Sequence, residues 1–200
     1  MKKLIFVLLG ALFLAGCGSE DASTSKPEET NKNQNEEVKE EVTLSTAQAG
    51  DKVTNEWGTY TIEKVAETNS SHESGPIKFN LNKVLLATFV PNESGASLFD
   101  EKKLNVAITL VESENTSEDT VTFDPFSAKV TTNTKGQYEA QSGLNEGDSE
   151  HIGNVKQQFT TAYNLKDEDL SKITELNFVF GSPSKDARSI GEDTTVKVSF

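Results

Sequence analysis

The residue whose chemistry is best defined by its neighbours is Cys17, the only cysteine of the 200-residue chain. It ends the run Leu14-Ala15-Gly16-Cys17, behind a short apolar stretch from Leu4 that follows Lys2 and Lys3. A basic start, a short apolar segment and small residues at a cleavage site are typical of a secretory signal peptide. A membrane-spanning helix needs about 20 apolar residues. The pattern therefore predicts export, with cleavage before Cys17.

The run Leu14-Ala15-Gly16-Cys17 resembles the lipobox of bacterial lipoproteins. The resemblance implies that residues 1–16 are a lipoprotein signal peptide and that the Cys17 sulfur carries a diacylglyceryl thioether. A single acyl chain gives only marginal membrane binding, and a lipoprotein modification supplies more than one. We expect a lipid anchor that holds the protein on the extracytoplasmic face of the cell membrane, with no disulfide. The alternative is a plain secreted protein with a chance cysteine.

Other groups that could catalyse a reaction are few. The histidines are His72 and His151, both in polar sequence typical of loops, and no Gly-x-Ser-x-Gly motif is present. A Ser-His-Asp triad is defined by geometry and is not settled by spacing. We predict that the protein is not an enzyme, that no catalytic residue is present and that no cofactor is bound.

Acidic residues cluster in turns and are candidate ligands for a weak calcium site. Zinc is disfavoured, because the two histidines are distant in sequence and the cysteine is expected to be lipidated. Solvated turns explain the acidic residues equally simply, so these positions are weak candidates and no metal site is predicted. The six candidates are Glu114, Glu118, Asp119, Glu146, Asp148 and Glu150, and a similar acidic run spans residues 167–169.

Residues 17–43 form a segment of different composition. From Gly18 to Val42 it holds eight acidic residues, three lysines and no aromatic residue. Low hydrophobicity with high charge predicts a disordered linker, which would act as a tether. The whole chain has a formal net charge of −13, which argues against nucleic acid as a partner.

Residues 44–200 show apolar side chains at every second position. Leu104, Val106 and Ile108 alternate with other residues, and Leu176, Phe178 and Phe180 repeat the pattern. Such alternation is typical of antiparallel strands with one buried face. We predict an all-β, immunoglobulin-like antiparallel sandwich of about 7–9 strands, with at most one short helix, at residues 167–173 and capped by Asp167. The run Val84-Leu85-Leu86 breaks the alternation and indicates either a strand buried on both faces or a bulge.

Several turn and strand motifs resemble those of a telokin-like (immunoglobulin-like) domain found in Gram-positive lipoproteins of unknown function. They include Gly50-Asp51-Lys52-Val53, the strand of residues 106–117 and Phe123-Asp124-Pro125. The resemblance implies a sandwich over residues 50–200 and supplies no catalytic residue. Residues 73–99 depart from it, being longer than a minimal domain of this type.

Together these patterns predict a non-enzymatic binding or interaction module of unknown ligand at the cell envelope. Its expected partners are the membrane, through the lipid anchor, and an envelope protein or cell-wall component. The alternative is a lipoprotein that binds or senses a small ligand or a cation such as Ca²⁺. Trp57, the lone tryptophan, is expected in the core or at its rim, with a carbohydrate platform as the other interpretation.

Overall fold

A computed structural model describes residues 41–99 and 101–200. Cys17, the predicted signal peptide and residues 17–40 of the predicted linker lie outside these residues. The described part contains thirteen strands, several of them only two or three residues long. They are β1 (Lys52–Thr54), β2 (Gly58–Ser74), β3 (Ile77–Pro91), β4 (Leu104–Asn115), β5 (Thr120–Thr122), β6 (Lys129–Thr132), β7 (Gln137–Tyr138), β8 (Glu150–Ile152), β9 (Lys156–Asn164), β10 (Glu175–Phe180), β11 (Ser184–Lys185), β12 (Arg188–Ser189) and β13 (Thr194–Ser199).

The strands form three antiparallel sheets. The largest has the order β1-β2-β3-β4-β9, and two four-stranded sheets have the orders β13-β10-β6-β7 and β12-β11-β5-β8. The prediction of an all-β sandwich with antiparallel sheets is confirmed. The strand number exceeds the predicted seven to nine because the two smaller sheets use very short strands, which carry too few residues to show an alternating pattern.

Helical structure within the described residues is confined to three short 3-10 turns, Gly95–Ser97, Pro125–Ser127 and Leu170–Lys172. The last lies where a short helix is predicted, but Asp169 and not Asp167 caps it, by accepting a hydrogen bond from the Ser171 N–H. In the described part of the chain, no helix has the length and apolar character needed to cross a membrane.

The strands β2 and β3 build a long hairpin that accounts for the unusual length of residues 73–99. A two-residue loop, Gly75-Pro76, joins Ser74 to its partner Ile77. Gly75 has φ of +53°, a conformation that glycine adopts without steric cost. The hairpin then continues over most of β3, and the 3-10 turn Gly95–Ser97 follows it.

The first core lies between the large sheet and the sheet β13-β10-β6-β7. It takes one face of β3, β4 and β9 and the inner residues of β6, β10 and β13. Burial of such apolar surface stabilises the fold by roughly 25 cal/mol per Å² removed from water. The largest fully buried side chains of this core are Phe79, Phe123, Tyr163, Phe178 and Phe180.

A second core lies on the other face of the large sheet and covers only part of it. There Tyr60, Leu85 and Ile108 pack beneath Ala47, Phe99 and residues contributed by β1 and a loop. One half of β3 is therefore buried on both faces, and Val84, Leu85 and Leu86 are each fully buried. This explains why these residues break the alternation.

A bulge at Asn82 decides which residues of β3 face which core. The register between β3 and β4 shifts between Leu81 and Lys83. Before the shift the odd-numbered residues 77, 79 and 81 lie in the first core, and after it the even-numbered Val84 and Leu86 do. Both interpretations of the Val84-Leu85-Leu86 run are correct, since the strand is doubly buried and carries a bulge.

We expect that deleting Asn82 preserves cooperative folding. The deletion removes the extra residue of the bulge, so Leu81 and Lys83 become neighbours on opposite faces and pair in regular register with Val111 and Leu110. Both cores therefore keep their side chains, and the free energy of unfolding should change by no more than about 3 kcal/mol. Urea unfolding followed by tryptophan fluorescence measures this.

The matched control is Asn82→Ala, which keeps the bulge and the residue count. It should change the free energy of unfolding by less than about 1 kcal/mol. Loss of the cooperative transition in the deletion variant alone would contradict the assignment of Asn82 as the extra residue of the bulge.

Candidate functional site

Half of one face of the large sheet is left uncovered by the second core. Residues paired across antiparallel strands share a face, so the register defines three rows of side chains that cross the sheet. We call this surface the open face. Its rows run from β2 through β3 and β4 to β9 and are Glu67-Lys83-Leu110-Thr160, Ser71-Asn80-Glu112-Gln158 and Glu73-Lys78-Glu114-Lys156. The first row borders the second core, so that Lys83 is buried and Leu110 packs against that core.

The row furthest from the second core alternates in charge. Lys78 pairs in register with both Glu73 and Glu114, and the Lys156 Nζ lies 3.6 Å from the Glu114 carboxylate. Exposed pairs of this kind contribute roughly 0–1 kcal/mol each. This row is therefore close to neutral, and it keeps the sheet face hydrated.

The row nearest the second core forms the floor of a groove of about 580 Å³. Ligand pockets in proteins are typically about 300–1,000 Å³. One wall is the chain segment of residues 41–45, where the predicted linker enters the domain, and Glu146 also lines the groove. Glu146 exchanges backbone hydrogen bonds of 2.9 and 3.0 Å with Thr160, which places it at the end of that row.

Lys83 is a buried cation that fastens the wall of residues 41–45 to the sheet. Only 3% of it is exposed. Its Nζ donates a hydrogen bond of 2.9 Å to the Ser45 carbonyl and lies 2.9 Å from the Glu67 carboxylate. Both contacts are needed, because a buried ammonium group without partners is costly. The charge of Lys83 is therefore already used within the protein.

The pKa of Tyr60 reflects burial and negative charge at one end of the groove. Its pKa is raised to about 12, chiefly because burial disfavours the phenolate, and the negative charge of Glu146 adds to the rise. The Asn55 side chain acts in the opposite direction by hydrogen bonding. Tyr60 is therefore a neutral hydroxyl at physiological pH in a region of negative potential.

Two further carboxylates of the groove, those of Glu112 and Glu146, form no ion pair within the described residues. Glu41, Glu112 and Glu146 line the groove, and Lys83 is the cation that lines it among the described residues. Of the ion pairs within residues 41–99 and 101–200, none involves Glu112 or Glu146. Among the described residues the groove therefore carries an excess of negative charge, with apolar lining from Leu110 on the floor and Leu44 on the wall.

The six acidic residues predicted as weak calcium ligands are dispersed. Glu114 and Glu146 belong to the open face and the groove, whereas Asp119 forms an ion pair of 2.7 Å with Lys185. Asp148 accepts a hydrogen bond from the Glu150 N–H at the start of β8. Glu118 is exposed in the turn before β5. In the described ranges, no group of three or more His, Cys, Asp or Glu residues is arranged to hold a metal ion.

The histidines are not in loops, contrary to the prediction. His72 lies in β2 and stacks on Phe79 with ring centroids 5.3 Å apart. His151 lies in β8 and is fully buried, and its Nε2 is 2.7 Å from the Ser113 Oγ. The burial of His151 has no periodic signal in the sequence, because the strand β8 has only three residues.

The contact between Ser113 and His151 has the geometry of a structural hydrogen bond. His151 Nδ1 lies 3.2 Å from the Ser149 carbonyl, which suits an Nδ1–H donor and leaves Nε2 to accept from the Ser113 hydroxyl. Among the described residues no carboxylate hydrogen-bonds to His151. Ser113 is 1% exposed, so a substrate does not reach its hydroxyl in this conformation. The pair joins β8, in the sheet β12-β11-β5-β8, to β4 of the large sheet.

Trp57 lies at the rim of the second core, as predicted. It is half-buried and packs against that core, and its carbonyl accepts a hydrogen bond of 2.9 Å from the Asn92 N–H. The carbohydrate-platform interpretation of Trp57 has no support in these contacts, which tie it to the neighbouring loop.

Lys83, Glu67 and Glu112 are the residues of this site that sequence reasoning missed. Lys83 stands beside Val84-Leu85-Leu86 in a run of apolar residues, and a charged residue next to a buried run is an available signal. Glu67 and Glu112 lie in ordinary alternating strands, and only the register of the sheet brings them together.

Comparisons with known proteins give a relative of unknown function. No family model matches the chain. The chain is similar to an uncharacterised lipoprotein. This is the SPbeta prophage-derived protein YonS of Bacillus subtilis (strain 168), 28% identical over 148 residues, which are 72% of this chain and 67% of YonS. The resemblance to a telokin-like domain stays a prediction.

Two solved structures share the fold to a limited degree. A functionally unknown protein from Listeria monocytogenes EGD-e has a TM-score of 0.50 at 11% identity, covering 72% of this chain and 87% of its own. The YjhA protein of Bacillus subtilis has a TM-score of 0.47 at 14% identity, covering 66% of this chain and 98% of its own. At these identities the first match supports the all-β fold alone.

We expect the stability of the protein to fall as the pH drops below about 6.5, the ordinary pKa of histidine. Burial lowers the pKa of His151, and also that of His72, so the unfolded chain binds protons more readily than the folded one. Stability is then fully present above the unfolded pKa and is lost as the pH falls toward the lowered, folded pKa. Urea midpoints between pH 5 and pH 8 measure this.

The variants His151→Gln and Ser113→Ala separate the titration of the His151 imidazole from the hydrogen bond that it forms with Ser113. His151→Gln should flatten the pH dependence, whereas Ser113→Ala should lower stability by about 1–3 kcal/mol at neutral pH and keep the pH dependence. An unchanged pH profile in His151→Gln would show that the buried imidazole does not control it.

Proposed function

We propose that the protein is a lipid-anchored, non-enzymatic binding module that contacts another component of the cell envelope through its open face. The observation that carries the proposal is a sheet face left uncovered over half its length, next to a groove whose wall is the end of the predicted tether. A sheet that buries one half of a face and leaves the other polar half uncovered provides a preformed surface for a partner.

Anchoring through Cys17 is supported by the sequence and by the relative. The run Leu14-Ala15-Gly16-Cys17 resembles a lipobox, and YonS, a protein from a Gram-positive host, is described as a lipoprotein. The predicted tether of residues 17–43 leads directly to the groove wall at residues 41–45. The proposal therefore places the groove at the side of the domain where the tether enters.

A binding role and not a catalytic one is supported by the state of the reactive groups. The Ser113–His151 pair is buried and lacks a carboxylate partner among the described residues. The groove itself presents carboxylates, a neutral Tyr60 and an already paired Lys83. This chemistry recognises a ligand by charge and hydrogen bonding.

The anchor is tested by exchanging Cys17 for Ala. We expect the variant to lose labelling by a palmitate analogue and to leave the membrane fraction, because the thioether cannot form without the sulfur. Ser19→Ala, two residues away, is the matched control and should keep both properties. Membrane retention and acyl labelling that are unchanged in Cys17→Ala would contradict the anchor.

The binding surface is tested by placing a photo-crosslinking amino acid at Gln158, on the open face, in intact cells. We expect a covalent adduct with an envelope component. The control position is Lys129, exposed on β6 in the opposite sheet, from which no such adduct should form. No adduct from position 158, or equal adducts from both positions, would overturn the proposal that the open face is the contact surface.

A further inference from the structure

We infer that the groove beside the tether binds an extended basic segment of a protein partner, with lysine or arginine side chains paired to Glu112 and Glu146. The inference rests on the proposed function and names the chemistry of the partner. It follows from the charge of the groove, the nature of its floor and its dimensions.

The charge of the groove favours an incoming cation. The Lys83 ammonium is committed to Glu67 and the Ser45 carbonyl, at 2.9 Å each. Glu112 and Glu146 have no ion pair among the described residues, although both line the groove. Partial burial of Glu112 strengthens its interaction with an incoming charge, because the effective dielectric constant is lower than in water.

The chain's own tether is a poor occupant of this groove. The segment from Gly18 to Val42 contains eight acidic residues and three lysines, so like charges repel it from the groove walls. Glu41, at the end of that segment, is itself part of the lining. Like charge therefore favours a separate, positively charged partner over the tether as the occupant.

The floor and the size of the groove fit an extended chain. Neighbouring strands are about 4.8 Å apart, so the row from Glu67 on β2 to Glu146 beyond β9 spans roughly 19 Å. An extended segment of about six residues covers that distance at roughly 3.3 Å per residue. Leu110, in the middle of the row, and Leu44 on the wall offer apolar contacts to the side chains between the cations.

The test is a titration of the full-length lipidated protein in detergent micelles with the fluorescent peptide Lys-Val-Lys-Val-Lys-Val, followed by anisotropy. A peptide of the same sequence with acetylated lysines is the uncharged probe. Salt at about 150 mM screens interactions beyond about 8 Å, so that the net charge of the protein contributes little. We expect the basic peptide to bind and the acetylated peptide to bind at least tenfold more weakly.

The variant Glu112→Gln/Glu146→Gln should weaken binding of the basic peptide roughly three- to tenfold. The matched control is Glu93→Gln/Glu192→Gln, which removes two exposed carboxylates outside the groove lining and changes the net charge equally. It should change the Kd less than about twofold. The charge reversal Glu112→Lys/Glu146→Lys should reject the basic peptide and bind Glu-Val-Glu-Val-Glu-Val, a gain that an unfolded variant does not produce.

Equal weakening by both double variants would overturn the inference, since binding would then depend on net charge. Equal affinity for the acetylated peptide, or no binding of the basic one, would also overturn it. A crosslinked adduct from Gln158 without peptide binding removes the basic-segment inference and leaves the proposed function standing. Absence of that adduct removes the proposed function itself.

Discussion

The structure depends on the central strand β3, which has neighbours on both edges and is buried on both faces over part of its length. Its bulge at Asn82 exchanges the faces of the strand, so that Leu81 and Val84 lie in the same core. Without this exchange, apolar residues on one side of the bulge would point to water. Two partial cores are thereby combined in one sheet without a disulfide among the described residues.

The partial coverage of the second face creates the candidate site. The second core stops at the row that contains Lys83 and Leu110, and beyond it the sheet is polar. Lys83 marks the boundary, because its stem is buried while its ammonium group holds the entering chain at Ser45 and pairs with Glu67. The fold, the entry of the tether and the groove therefore depend on one another at this row.

The chemical type of a polar residue does not predict whether the domain buries it. His151 and Ser113 are buried and connect two sheets, whereas Glu112 remains at the surface and lacks an internal ion pair among the described residues. Two histidines in polar sequence predicted loops, and both lie in strands. Burial of a polar side chain depends on what packs against it from distant segments, and short strands such as β8 leave no periodic signal.

The amino-acid sequence alone was sufficient for the fold class and the irregularity in β3, because alternation with period two is a local property of the chain. The lipobox resemblance and the acidic linker are likewise local patterns, and they lie largely outside the described residues. Only the tertiary structure decided that Glu67, Lys83, Thr160 and Glu146 form one row. These residues are up to 93 positions apart, since Thr160 follows Glu67 by that number. Strand order and register, which depend on long-range packing, bring them together.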